Sequence, residues 1–209
     1  IMKKILFCFG TRPEAIKMFP LIKQAKEFGF EPRVCLTGQH KEMILPLLEK
    51  LNITYHHDLD LMQPNQSLNG LTSRIFAQID TILNIEKPDF VFVQGDTTST
   101  FTCGLASFHQ KIPVVHIEAG LRTFDMYSPF PEEINRQMVS TFASFHFAPT
   151  IESLENLKKE DRANAFVVGN TSLDALRLVE QDIEVSSSSK KTILVTCHRR
   201  ENHGKPFEE

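Results

Sequence analysis

No two of the four cysteines in this 209-residue sequence stand close enough to form a CxxC pair. Cys8, Cys35, Cys103 and Cys197 each lie in an apolar or small-residue run, the setting of buried free thiols in a reducing cytosol. Neither a disulfide framework nor a cysteine metal site has the spacing it needs. No apolar run approaches the ~20 residues that span a bilayer. The opening Ile1-Met2-Lys3-Lys4-Ile5-Leu6-Phe7 has the basic-then-apolar order of a signal peptide. Its apolar part is short, however, and runs straight into Gly10-Thr11-Arg12-Pro13 with no small-residue cleavage site. It reads as a buried first strand, so a cytoplasmic protein without membrane contact is expected. A concentrated basic face is also missing: 23 Lys and Arg mix with 26 Asp and Glu for a net charge of −3. That argues against a nucleic-acid partner, while a few local cations would still suffice for one diphosphate.

Several catalytic signatures are absent as well. There is no GxGxxG fingerprint and no GxxxxGK[ST] phosphate loop, which disfavours nicotinamide dinucleotides and ATP, and no cofactor is expected. No GxSxG elbow or Ser-His-Asp order occurs, which speaks against hydrolase chemistry of that type. His198 and His203 lack the i, i+4 spacing of HExxH, so no metal site is expected.

What remains is an ordinary globular composition, 41% hydrophobic and 23% charged, with a regular alternation of elements. Short apolar runs at residues 4–9, 31–37, 90–94 and 113–118 read as strands, with 165–168 a weaker case. Between them lie helical stretches. In the clearest, Leu68, Leu71, Ile75, Ile79 and Ile82 fall on one face at steps of three and four, and Pro88 follows just before the next strand. Unbroken apolar strands alternating with amphipathic helices predict βαβ units, hence a doubly wound α/β fold with a parallel sheet. Residues 185–190 include four consecutive serines and read as a linker. After it come a fresh strand at 192–196 and part of a helix, too little to bury itself as a domain. The expected organisation is a Rossmann-like domain over 1–185, then at 186–209 a linker and the start of a second, truncated domain.

In doubly wound sheets ligands sit beyond the carboxyl ends of the strands, and most of the unusual polar residues fall in those loops. Gly10-Thr11-Arg12-Pro13-Glu14-Ala15-Ile16-Lys17 follows the first strand and opens a helix. Thr11 is a plausible N-cap, Pro13 suits the first turn, and Arg12 and Lys17 bring cations to an anion-attracting helix end. An ordinary helix start with surface cations reads the same way. Gly95-Asp96-Thr97-Thr98 follows another strand, where Asp96 is either a functional acid or the cap of the next helix. Val114, His116 and Glu118 alternate onto one strand face, putting a carboxylate at the functional rim, with Arg122 as a candidate structural partner. His116 and His146 lie within strands and read as core histidines. Pro129 and Pro131 stiffen a loop delivering Glu132 and Glu133 to a helix start, where the dipole alone accounts for one acid. Three carboxylates converging from separate strand ends can split their pKa values into an acid and a base, as proton abstraction at one carbon requires.

Read together, Phe9–Lys17 (FGTRPEAIK), Thr37–His40 (TGQH), Gly95–Thr98 (GDTT), His116–Arg122 (HIEAGLR), Ser128–Arg136 (SPFPEEINR), Gly169–Thr171 (GNT) and His198–Asn202 (HRREN) resemble, in order, the bacterial non-hydrolysing UDP-N-acetylglucosamine 2-epimerases. The resemblance spans essentially the whole chain. It implies two Rossmann-like domains, as in GT-B glycosyltransferases, with the active site in the cleft between them. It implies that Asp96, Glu118 and Glu132 are the acid/base carboxylates. It also implies that Arg12, Lys17 and His198 contact the substrate or its diphosphate, with His198 in the catalytic set. Family members remove the C2 proton and expel UDP, and the 2-acetamidoglucal is reprotonated on its other face before UDP returns. Gln39, His40 and Arg199 are placed at a neighbouring site where UDP-N-acetylglucosamine acts as an allosteric activator, and a homodimer is the family expectation. Cys197 stands where many relatives have Gly or Ala, and without the second domain the 209 residues alone are expected to be inactive. Other readings are a 2-epimerase of a related UDP-sugar such as a diacetamido-uronic acid, a hydrolysing 2-epimerase, a GT-B glycosyltransferase, and a short binding or regulatory chain.

Overall fold

In a computed structural model the described residues are 2–38, 41–61, 66–180 and 193. They form one seven-stranded sheet in the order β3-β2-β1-β4-β5-β6-β7. The strands are β1 (Lys3–Phe9), β2 (Phe30–Leu36), β3 (His57–Asp58), β4 (Phe90–Gln94), β5 (Val114–Ile117), β6 (Phe145–Ala148) and β7 (Ala165–Val167). All neighbouring pairs are parallel. The helices are α1 (Arg12–Ala25), α2 (Lys41–Lys50), α3 (Leu68–Glu86), α4 (Thr98–His109), α5 (Glu132–Phe142), α6 (Ile151–Lys159) and α7 (Thr171–Glu180). None of the described helices is long and apolar enough to cross a membrane.

The expected doubly wound class is what forms, because the central strands are apolar on both faces. Ile5, Phe7 and Phe9 of β1 pack with α1, α2 and Ala175 of α7, while Leu6 and Cys8 pack with α3, α4 and α5 on the other side. Val34 and Leu36 of β2 join the first cluster and Cys35 the second. Each large apolar side chain buried in this way contributes about 1.5–3 kcal/mol, so the two layers of β1 hold both helix sets to one sheet. Cys8, Cys35 and Cys103 are free, buried thiols in the second layer, and Cys197 lies outside the described residues.

Helix α3 shows both the strength and the limit of periodicity. Leu71, Ile75 and Ile79 are buried, as their spacing predicts, and the stripe continues to Leu83 and Glu86. Leu68 is exposed instead, since it occupies the first turn, beyond the edge of the sheet's cover. Glu86 is 3% exposed and collects Lys4 Nζ (3.1 Å), Arg33 Nη2 (2.8 Å) and His57 Nε2 (2.5 Å). Burial alone would raise its pKa, but these three partners hold it down to about 2. The cluster joins α3 to β1, β2 and the two-residue edge strand β3.

Two histidines give the fold a pH dependence. Burial lowers His116 to about 3 and His146 to about 4, so both are neutral in the folded chain. The unfolded chain takes up a proton at each below about pH 6.5, so their contribution is complete above that pH and drains away as pH falls. Asp96, raised to about 6, acts in the opposite direction, adding stability as pH falls from 6. The two histidines outweigh it. Thermal unfolding should therefore shift to lower temperature from about pH 6.5 downward, with a further loss below about 4.5, where Glu86 takes up a proton in the unfolded chain but stays ionised in the folded one. Comparing the wild type with His116→Gln and His146→Gln across pH 8 to 4 tests this. Equal pH slopes in all three proteins would contradict the assignment.

Candidate active site

The strand order reverses direction between β1 and β4, which run side by side from different halves of the chain. Loops leaving these two strands diverge to opposite faces and open the crevice where doubly wound sheets bind ligands. The loop after β1 carries Gly10 and Thr11 into α1; the loop after β4 carries Gly95, Asp96 and Thr97 into α4. The loop after β5 adds Glu118.

Thr11 is the N-cap of α1 and Pro13 lies in its first turn, both as expected. Glu14 folds back so that its Oε2 accepts from the backbone N–H of Thr11 (2.7 Å) and Gly10 (3.1 Å). Arg12 is exposed at the start of this helix, and Lys17 lies one turn further along. Lys17 Nζ stands 2.6 Å and 2.8 Å from the two oxygens of Glu118.

Glu118 departs from its expected strand geometry. β5 ends at Ile117, and Glu118 turns into the left-handed region with φ +64. Its side chain therefore does not continue the Val114–His116 face. Arg122 is not its partner: the guanidinium is paired with Glu160 at 2.7 Å and donates to Ser140. The two residues that follow Glu118 are tightly packed. A Cβ on Gly120 would stand 2.2 Å from the Ser153 carbonyl oxygen, and φ there is +89, so only glycine fits.

Asp96 does not cap α4; Thr97 does, its hydroxyl accepting from the Thr100 N–H at 3.1 Å. Asp96 is left to face the crevice, where Arg136 Nε lies 3.5 Å from its Oδ2. Burial pushes its pKa up to about 6, opposed by Arg136 and reinforced by the charges of Glu132 and Glu118, with Lys17 also within range. The charges of Glu118, Glu132, Lys17 and Arg136 all act on the Asp96 carboxylate. Of the carboxylates named from sequence, Glu118 pairs with Lys17 and Asp96 lies beside Arg136, while the charges of Glu118 and Glu132 both raise Asp96.

Glu132 and Glu133 take different parts. Glu133 is fully buried and accepts from Gln137 Nε2 and the N–H groups of Thr123 and Phe124, with Arg136 Nε at 3.0 Å. Burial would raise it, but these contacts hold it below the usual carboxylate range. It anchors the loop over residues 121–131 and aims Arg136. Glu132, half-buried at the first position of α5, is the member whose charge reaches Asp96. His116 is a buried core residue as read, but its Nε2 donates to the Gly95 carbonyl (2.7 Å) beside the site.

Gln39, His40, His198 and Arg199 lie outside the described residues. Sequence reasoning passed over Glu14, Arg136 and Asn135. For Glu14 a signal was available, since Thr11-Arg12-Pro13-Glu14 has the T-x-x-E spacing of a capping box. Nothing local distinguishes Arg136 or Asn135 from other residues of an amphipathic helix.

The UDP-N-acetylglucosamine 2-epimerase family profile matches residues 22–209. The UDP-N-acetylglucosamine 2-epimerase of Escherichia coli (strain K12) is 47% identical over 223 residues, covering 99% of this chain and 59% of that protein. The crystal structure of the UDP-GlcNAc 2-epimerase from Neisseria meningitidis bound to UDP-GlcNAc is similar with a TM-score of 0.82 and 47% identity, over 86% of this chain and 50% of that one. A putative UDP-N-acetylglucosamine 2-epimerase from Listeria monocytogenes gives a TM-score of 0.92 at 44% identity, over 100% of this chain and 57% of that one. The chain therefore spans less than two thirds of the length of these relatives. With the profile matched over most of its residues, the chain belongs to the UDP-N-acetylglucosamine 2-epimerase family.

Proposed function

We propose that the full-length protein inverts UDP-N-acetylglucosamine at C2, giving UDP-N-acetylmannosamine by elimination and re-addition of UDP through a 2-acetamidoglucal, without hydrolysis. The observation that carries this reading is the Asp96 carboxylate in the loop after β4, raised to about 6 with the charges of Glu118 and Glu132 acting on it, and Glu118 paired with Lys17 of α1. Removing a proton from one face of C2 and returning one to the other requires at least two acid/base groups in one pocket. Asp96, at about 6, exchanges a proton most readily near neutral pH. Arg12 and Lys17 at the start of α1 supply positive charge where the departing diphosphate becomes more negative. His198 is assigned to the same substrate contacts by family resemblance.

The Neisseria relative was solved with UDP-GlcNAc, which supports this substrate class. Residues 1–185 are read as the first of two domains, with 186–209 leading into the second and the cleft between them closing the site. A cytoplasmic homodimer feeding surface polysaccharide synthesis, activated by UDP-N-acetylglucosamine at Gln39, His40 and Arg199, completes the proposal on family resemblance.

Incubating the full-length protein with UDP-N-acetylglucosamine in D₂O provides the test. Deuterium should appear at C2 of a sugar that still carries UDP. Turnover with protium retained at C2, or accumulation of free N-acetylmannosamine, would rule the mechanism out.

A further inference from the structure

The loop that presents Asp96 is held at every residue by a buried polar side chain from a different element. Gly95 donates its N–H to the Ile117 carbonyl (2.9 Å) and accepts at its own carbonyl from His116 Nε2 on β5 (2.7 Å). The carbonyl of Asp96 accepts from Asn135 Nδ2 on α5 (2.9 Å). Thr97 donates its hydroxyl to Glu14 Oε1 on α1 (2.8 Å), and Thr100 Oγ1 stands 3.0 Å from the same oxygen. His116, Asn135 and Glu14 are 0%, 5% and 2% exposed, so none of these bonds has water as a ready substitute.

We propose that Glu14, His116 and Asn135 are positioning residues for the proposed epimerisation, a three-sided clamp that fixes the Asp96 carboxylate relative to Glu132 on α5 and the cationic start of α1. The inference rests on the reading that Asp96 exchanges the C2 proton. Each of the three acts through the backbone or side chain of residues 95–97. Glu14 is the least replaceable of them by its bonding. One carboxylate oxygen serves the loop after β1 and the other serves the loop after β4, so a single side chain sets the distance between the two rims of the crevice. Asn135 links Asp96 to the helix that bears Glu132, three residues earlier.

The substitution pattern follows from donor and acceptor counts. In Glu14→Gln the amide oxygen can accept from the Gly10 and Thr11 N–H groups. The amide nitrogen then faces two hydroxyls, and Thr100 Oγ1, which donates to the Gln94 carbonyl at 2.7 Å, is free to accept. In Glu14→Ala the Gly10 and Thr11 N–H groups and the Thr97 hydroxyl lose their acceptor. Asn135→Leu has similar bulk but cannot hold the Asp96 carbonyl.

The experiment uses full-length protein with UDP-N-acetylglucosamine and measures kcat per folded enzyme together with its pH profile. Glu14→Ala and Asn135→Leu should each lower kcat by roughly 10–100-fold, the cost of a misplacement of about 1 Å, and move the inflection assigned to Asp96. Glu14→Gln should recover most of the loss. If one variant does not fold, the other carries the test. A drop in melting temperature with kcat per folded enzyme and pH inflection unchanged would overturn the clamp. Absence of C2 exchange in the wild type would instead remove the proposed function beneath it, so the two failures are told apart.

Discussion

Asp96→Asn in the full-length protein is expected to lower kcat for C2 epimerisation by about 10²–10⁴-fold, the usual worth of a positioned acid or base. The substitution is close to isosteric. Asn135 still reaches the residue 96 carbonyl, and an amide oxygen can still face Arg136, so the loop should keep its course. What disappears is a group able to gain and lose a proton near neutrality. With Asp96 raised to about 6, wild-type kcat should fall as pH drops below that value, because the protonated carboxyl cannot accept the C2 hydrogen. The variant should lack this limb. A kcat within about threefold of wild type, or an unchanged acid limb, would show that the proton goes elsewhere, since loss of a general base costs far more than that. Substrate binding, followed by calorimetry, should change much less than kcat.

Loss of the carboxylate at position 86 is the second large effect, and it concerns the scaffold. Glu86→Ala strips Lys4, Arg33 and His57 of a common acceptor that is itself nearly inaccessible. Breaking a buried pair costs about 3–5 kcal/mol, and the lower end applies because the three partners are 18–30% exposed and can turn toward water. The damage should be local. The edge strand β3 has two residues, in register with Cys35 and Leu36 of β2, so His57–Glu86 is a main side-chain attachment. Amide hydrogens of β2 and β3 should exchange about 10²-fold faster, the equivalent of roughly 3 kcal/mol. The cluster lies on the β2–β3 side of the sheet, away from the loops after β4 and β5 that carry Asp96 and Glu118, so kcat should stay within about twofold. Unchanged exchange in β3 would mean that the cluster does not hold this edge.

The two predictions separate what sequence reasoning reaches from what it does not. Alternation of buried strands and amphipathic helices made the doubly wound class legible, and β1, β2 and β4 lie within a residue of the runs at 4–9, 31–37 and 90–94. β3 was invisible because two residues carry no period. Asp96, Glu118 and Glu132 stood out as acids at strand ends, but the partners of these and nearby residues did not. Local reasoning offered Arg122 to Glu118, four positions away; the fold instead brings Lys17 across 101 positions, through the adjacency of β1, β4 and β5. It also offered Asp96 as a helix cap, a task that falls to Thr97. Pairings of this kind depend on strand order, which a single sequence does not encode locally.

At position 118 the chain keeps a long side chain in a conformation that glycine would adopt freely. Holding a non-glycine residue there carries a standing cost of about 1–3 kcal/mol, borne by every folded copy whether or not ligand is present. Selection for thermal robustness alone would favour replacing it. A glutamate at this point therefore marks a position where usefulness and durability pull in opposite directions, and Glu118→Gly should give a chain that is sturdier yet poorer at turnover.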